Sequence, residues 1–181
     1  LERDVDRLVR NDRIAWGASM IACKDADAMV TGNIRHYAAS IEKLKKVVES
    51  RPGEEIFGMT MINSKGKTIL VADTNVQDFP SAQRLVNVSK SCVRVARLFG
   101  FDPKVAFLSH STFGNPISKN TKHVRDAIEI LKKENVDFDF DGEMQPDVAL
   151  NPIYQETYPF SKIVGNANIL IMPALHSAAI S

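Results

Sequence analysis

The stretch Ser109-His110-Ser111-Thr112-Phe113-Gly114-Asn115-Pro116 gathers hydroxyls, small residues and a histidine. It lies between an apolar run, Lys104 to Leu108, and a helix-like stretch from Ser118 onward. A strand, a hydroxyl-rich loop and a helix start can offer backbone N–H groups and side-chain hydroxyls to an anion. The loop is not a P-loop, because the lysine and spaced glycines of that motif are missing, and it is not a dinucleotide fingerprint. A plainer alternative stays open, in which Ser118 caps the next helix and the loop is only a connection. Two more stretches have the same character: Asp141-Gly142-Glu143 and Pro173-Ala174-Leu175-His176-Ser177. Ligands in open α/β sheets bind beyond the carboxyl ends of the strands, so these three strand ends form the candidate site.

Single residues give weaker signals. His110 is either a base or a neutral histidine turned into the structure. His176 lies past a strand end but has no partner in the sequence. His36 and His123 fall on helices and read as surface residues. Asp25 and Asp27 either bind a metal or ligand, or accept backbone hydrogen bonds in a tight turn. Asp141 and Asp147 are a possible carboxylate pair. A Gly-x-Ser-x-Gly elbow is absent, and no His/Cys group has zinc spacing. Cys23 and Cys92 make neither a metal pattern nor a disulfide framework and read as reduced thiols packed in helices. Residues alone therefore point to an α/β module with an anion or ligand cleft and no assembled catalytic set.

The elements that must position these groups are legible as periodicities. Val5, Leu8, Val9 and Ile14 recur at helical spacing through 1–23, with a short strand at Met20 to Cys23. Residues 34–50 read as an amphipathic helix stopped by Arg51-Pro52-Gly53. Ile56 to Ile62 and Lys67 to Ala72 form a hairpin around Asn63-Ser64-Lys65-Gly66. A helix over 81–99 ends at Gly100. Strand 104–108, a helix over 118–134 stopped at Asn135, strand 136–140, a loop over 141–147, a short helix from Val148, a turn at Gly165-Asn166 and strand 169–173 complete the pattern. A hairpin followed by alternating strands and helices predicts an α/β fold. The expected form is a three-layer αβα sandwich with a mixed, mostly parallel sheet including one antiparallel hairpin.

Bulk properties exclude some classes. The 181 residues carry a net charge of +1, with 44% hydrophobic and 25% charged residues. That fits one ordinary domain, or one domain with part of another. No bulk field points to nucleic acid or to a membrane surface. No apolar run approaches the roughly 20 residues that span a bilayer, and no signal peptide is visible, so the default expectation is cytoplasmic. The chain opens on Leu1 and stops as it enters a helix after Pro173, which reads as a segment of a larger protein.

Taken in order, the motifs DADAMVTG (25–32), VADTNVQDFPSAQRL (71–85), PKVAFLSHSTFGNP (103–116), DFDFDGEMQPDVALN (137–151) and YPFSKIVGNANILIMPALHSAAIS (158–181) resemble the phosphate acetyltransferase family nearly end to end. Stand-alone members have a Ser-Thr-Gly loop with further small residues, then Asp-Gly-Pro-Leu-Gln, then Asn-x-Gly-Asn. Here the corresponding residues are Ser111-Thr112-Phe113-Gly114-Asn115-Pro116, Asp141-Gly142-Glu143-Met144-Gln145 and Leu175-His176-Ser177-Ala178. This set is similar to the C-terminal phosphotransacetylase-like region of bacterial NADP-dependent malic enzymes. The malic portion of those enzymes, which uses NADP and a divalent metal, is not visible in this sequence.

The resemblance implies two α/β domains around a cleft for coenzyme A and acetyl phosphate. Residues 1–30 would close the first domain, and 31–181 would form most of the second. It implies ligand contacts at Thr31, Gly32, Ser111, Thr112, Gly114, Asn115, Asp141 and His176, with acetyl-CoA or phosphate as ligand. It further implies a homodimer or higher homo-oligomer, with helices 34–50 and 81–99 as candidate surfaces. The family's catalytic Asp-Leu-Ser-Arg-Gly stretch is expected beyond Ser181, so no catalytic residue is assigned here and no transferase activity is expected of this segment alone.

Overall fold

The computed structural model describes residues 2–32, 34–50, 54, 56–73 and 78–180, in two compact units, Leu1–Gly53 and Glu54–Ser181. The helix stop read at Arg51-Pro52-Gly53 lies outside the described residues.

The first unit is helical: α1 (Glu2–Asn11), α2 (Arg13–Ala22) and α3 (Tyr37–Lys45). The single helix expected over 1–23 is two, and the strand expected at Met20 to Cys23 is the end of α2. Asp12 makes the break. It leaves helical geometry at φ −124°, ψ 113°, and its Oδ1 accepts from the N–H groups of Ile14 (2.9 Å) and Ala15 (3.3 Å). An N-cap of this kind satisfies donors that a new helix leaves open. α2 then runs to its end, where the Cys23 N–H reaches the Ser19 carbonyl at 2.8 Å. Cys23 is exposed there, not packed as expected, because it stands at the helix end. The helix expected over 34–50 is limited to α3, with His36 exposed at its start.

The second unit holds the sheet. Its strands are β1 (Met59–Ser64), β2 (Lys67–Ala72), β3 (Lys104–Leu108), β4 (Asp139–Met144) and β5 (Ile169–Ile171), in spatial order β1-β2-β5-β3-β4. Among the strands of the described residues, only β1 and β2 pair antiparallel, through a turn at Lys65-Gly66. The other pairings are parallel. The helices are α4 (Ala82–Leu98), α5 (Lys122–Glu134), α6 (Pro146–Leu150), α7 (Pro152–Gln155) and α8 (Leu175–Ile180).

Alternation along the strands divides the core into two layers. Leu70, Val105, Phe107, Phe140, Ile169 and Ile171 face α4 and α5, where Leu85, Cys92, Val93, Val124, Ile128 and Leu131 are buried. Val71, Ala106, Leu108, Met144 and Leu170 face Val148 and Ala149 of α6, together with Ile163, Ala167 and Ala178. A side chain of this kind gains about 1.5–3 kcal/mol when fully buried, so both layers hold the central strands in place. Arg84 of α4 ties the hairpin to this core. Its Nη2 donates to the Ile56 carbonyl and lies 3.4 Å from Asp73 Oδ2, while Asp73 Oδ1 accepts from Gly58 N at 2.7 Å.

Three strands differ from expectation: β1 starts at Met59 and not Ile56 and runs on to Ser64, β5 stops at Ile171, and β4 differs most. The sequence predicts β4 over 136–140 with a loop from Asp141, yet the strand runs from Asp139 to Met144. Asp141 and Glu143 look like loop residues because they are charged. Both are buried, at 8% and 1% exposure, and both are hydrogen bonded by groups distant in sequence.

Candidate functional site at the strand ends

β3 and β4 run side by side, so the loop after one strand meets the end of the other. Their register steps from Phe107↔Gly142 to Leu108↔Met144, which leaves Glu143 as an extra residue in the ladder. A bulge of this kind re-aims a side chain. Gly142 is required for it. Its φ is 145°, and a Cβ there would lie 2.6 Å from the Phe107 carbonyl oxygen, so only glycine fits.

The Glu143 side chain has no solvent exposure. Its Oε1 accepts from Ser111 Oγ (2.9 Å), Gly114 N (3.1 Å) and Arg125 Nη1 (3.2 Å). Its backbone carbonyl accepts from Phe113 N at 2.7 Å. Oε2 is buried without a hydrogen-bonding partner among the described residues. Arg125 also donates to Thr121 Oγ1 (2.6 Å) and to the Ser118 carbonyl (3.0 Å), which fixes the guanidinium at the start of α5.

The rest of the loop is closed on itself. Ser109 Oγ lies 3.2 Å from Ser111 Oγ, and Ser109 N donates to the Met144 carbonyl at 3.0 Å. Thr112 Oγ1 accepts from Gln145 N at 3.2 Å, and Gln145 Nε2 donates to the His110 carbonyl at 2.9 Å. Thr112 and Asn115 exchange both backbone hydrogen bonds, each 3.0 Å, around Phe113 (φ 47°) and Gly114 (φ 84°). A bulky residue at positive φ is uncommon. Ring contacts with Tyr158 (5.3 Å between centroids) and Phe160 (4.9 Å) hold Phe113 there.

The structure brings together Ser111, Thr112, Gly114 and Asn115 at the end of β3, with Asn115 exposed. Asp141 belongs to the same strand end, but its carboxylate is engaged by backbone. Oδ2 accepts from Lys162 N at 2.7 Å and Oδ1 from Gly142 N at 2.9 Å, which pins the segment leading to buried Ile163. Asp147 likewise accepts from Val148 N at 2.9 Å. His110 is exposed, which removes the inward-facing alternative, and His176 is exposed on α8. Thr31 and Gly32 are exposed in the first unit, between α2 and α3, as are Asp25 and Asp27.

Two residues have a different place from the one their sequence suggests. His123, read as a surface residue, is half-buried. Its Nε2 lies 3.0 Å from the Pro173 carbonyl oxygen, and its ring centroid lies 4.7 Å from that of Phe79, with the planes tilted by 42°. The first turn of α5 therefore reaches two strand ends, with His123 at β5 and Arg125 at β4. Arg125 carries no sequence signal, because an arginine in an amphipathic helix normally reads as solvated. Ser118 does cap a helical start, a 3-10 turn (Lys119–Thr121), by accepting from Asn120 N at 3.2 Å.

Titration outside this cluster is set by packing and by ion pairs. Hydrogen bonds from Lys43 and Arg35 hold the Asp12 carboxyl well below the usual carboxylate range. Burial pushes the Cys92 thiol up to about 12, which leaves it protonated and un-nucleophilic at neutral pH. Among the described residues, no group of His, Cys, Asp and Glu could hold a metal ion, and no helix is long and apolar enough to cross a membrane.

Comparison with known proteins defines the class. The family described as phosphate acetyl/butaryl transferase matches residues 1–181, and the chain belongs to that family. Among curated relatives, it is 44% identical over 181 residues to an NADP-dependent malic enzyme of Rhizobium meliloti (strain 1021), covering 100% of this chain and 24% of that protein. A probable NADP-dependent malic enzyme of Rickettsia prowazekii (strain Madrid E) is 37% identical, with 100% and 25% covered. A phosphotransacetylase structure from Streptococcus pyogenes superimposes with a TM-score of 0.86 at 29% identity, covering 99% of this chain and 56% of that one. The chain thus spans about a quarter of the length of the curated malic enzymes it matches.

Proposed function

We propose that this chain is the phosphotransacetylase-like region of an NADP-dependent malic enzyme and acts as a regulatory and oligomerisation module that senses acetyl-CoA. The observation that carries this reading is that the polar groups at the strand ends bond to one another. Ser111 and Gly114 are held by Glu143, Thr112 by Gln145, and Asp141 by backbone N–H groups. Acetyl transfer between phosphate and coenzyme A needs a base for the thiol and donors for the phosphate and the developing oxyanion. A cluster whose donors are already engaged suits a fixed wall of a ligand cleft better than a reacting centre. The high identity to malic enzymes over the whole chain supports the same parent.

In that parent, malate and NADP give pyruvate, CO2 and NADPH, with NADP and a divalent metal held by the malic portion. This region acts on that reaction only through a difference in acetyl-CoA affinity between two states of the whole protein. The reading places the protein in the cytoplasm as a homodimer or higher homo-oligomer, a state checked by analytical ultracentrifugation. A second reading is part of a true phosphate acetyltransferase, favoured by the close superposition on a phosphotransacetylase.

The discriminating experiment titrates acetyl-CoA against malate oxidation by the full-length protein, with and without this region. Acetyl-CoA should change turnover only where the region is present. An unchanged response in both forms would overturn the sensing role. Phosphotransacetylase turnover well above background by this chain would favour the second reading.

A further inference from the structure

Val124 of α5 is buried in the core layer that holds Val105, Phe107 and Ile171 of the central strands. Successive residues of a helix point roughly 100° apart, so His123 and Arg125 leave α5 on opposite sides of Val124. β3 lies between β5 and β4 in the sheet, and the two side chains reach those flanking strands. Arg125 Nη1 meets Glu143 of β4 at 3.2 Å, and His123 Nε2 meets the Pro173 carbonyl, just past β5, at 3.0 Å. A carbonyl oxygen only accepts, so Nε2 carries the proton and donates. We propose that the first turn of α5 is a bracket across the end of β3. In it His123 is the positioning residue for the β5–α8 turn and for His176, Arg125 holds the other flank, and the two sides of the strand-end site move together.

The β5–α8 turn is held at both of its ends. Pro173 gives its carbonyl to His123, and Leu175 N donates to the Asp78 carbonyl at 3.2 Å. Phe79, next to Asp78, places its ring centroid 4.7 Å from that of His123, so the segment leading into α4 closes on the same turn. His176 follows directly and is exposed, and α8 and the loop after β3 leave from neighbouring strands. On the other flank Arg125 also donates to Thr121 Oγ1 and to the Ser118 carbonyl, which ties the guanidinium to the start of its own helix. A shift of either flank must therefore move the helix start or break one of these hydrogen bonds, which gives the coupling a contiguous physical route.

As regulation, the bracket rests on the proposed sensing role: a ligand that moves the β3 loop moves α8 with it. Its test needs no ligand, so a missing acetyl-CoA response counts against sensing alone. Hydrogen–deuterium exchange of the full-length protein is read by mass spectrometry over 111–116, 173–178 and the β1–β2 hairpin. His123→Phe keeps a ring for Phe79 and loses the donor, so exchange over 173–178 should rise about fivefold, the scale of one lost hydrogen bond, with a smaller rise over 111–116. His123→Gln keeps an N–H donor and should restore most of the protection. Arg125→Ala should raise exchange over 111–116 and also over 173–178, which it does not touch, by more than at the hairpin. Arg125→Lys, which keeps the charge and loses the fork, serves if the alanine variant does not fold. Unchanged exchange over 173–178 in His123→Phe would overturn the proposal. So would a His123→Gln protein no better protected than His123→Phe, or an Arg125 variant in which 173–178 gains no more exchange than the hairpin.

Discussion

Two buried carboxylates, Asp12 in the first unit and Glu143 in the second, each sit beside an arginine yet do different work. Asp12 loads both oxygens. Oδ1 caps α2 through two backbone N–H groups two and three residues away, and Oδ2 takes Arg35 at 2.8 Å together with Lys43. Glu143 loads one oxygen with three donors and leaves the other with none among the described residues. Its loop partners are 32 and 29 residues distant in sequence. Asp12 joins a local cap to partners 23 and 31 residues along the chain, and both of its oxygens serve packing within the helical unit. A carboxylate whose partners come from another strand end fixes the shape and charge of the loop at that end.

The comparison can be broken most severely at Gly142. Gly142→Ala places a Cβ against the Phe107 carbonyl at a φ that side chains rarely adopt, at a cost of about 3 kcal/mol or more. The urea midpoint should fall sharply, and the Gly114 amide should lose protection from exchange. A midpoint like that of the wild type would show that the bulge does not position Glu143.

Arg125→Ala comes next. It leaves Glu143 buried with only neutral donors, for a loss of about 1–3 kcal/mol, toward the lower end because Arg125 is about one third exposed. Arg125→Lys should recover only part of this, since a lysine cannot also span Thr121 and the Ser118 carbonyl as the fork does. Equal stability of both variants in chemical denaturation would reduce Arg125 to a surface residue.

A smaller effect is expected at Asp12. Asp12→Ala should lose about 1 kcal/mol from the cap, whereas Asp12→Asn keeps a capping oxygen and loses the charge. Because the folded carboxyl titrates well below the usual range, its contribution is complete above the unfolded value of about 4 and is lost as pH falls through the folded one. Helicity of the first unit should therefore decline in acid, and Asp12→Asn should flatten that decline. An identical acid limb in wild type and Asp12→Asn would remove the ion pairs from the account. The smallest effect is Thr112→Val, which deletes the acceptor for Gln145 N and should cost about 0.5–1.5 kcal/mol, read as faster exchange at Gln145 alone.

Much of the frame was legible in the residues. The bounds of β2 and β3 match their apolar runs, and the mixed sheet followed from a hairpin ahead of alternating strands and helices. Gly100 and Asn135 end their helices with positive φ, as their types suggest. The misses have two causes. The sequence ends β4 at Phe140 and puts His123 on the surface, because a polar or charged residue buried by partners far along the chain has the same local pattern as one in a loop or in solvent. It also reads Met20 to Cys23 as a strand, because four apolar residues cannot distinguish a strand from the last turn of a helix.

The sequence by itself determined the alternation of elements, the hydroxyl-rich loop, the family likeness and the caps, because periodicity, turn chemistry and capping act over a few neighbouring residues. Only the tertiary structure decided what the loop's donors meet. The pairing of β3 with β4, the bulge at Glu143 and the first turn of α5 place a carboxylate, a hydroxyl, an amide and a guanidinium within 3.2 Å contacts. Those groups are separated along the chain by up to 32 residues, and it is the packing of two strands and a helix that gives them one shared position.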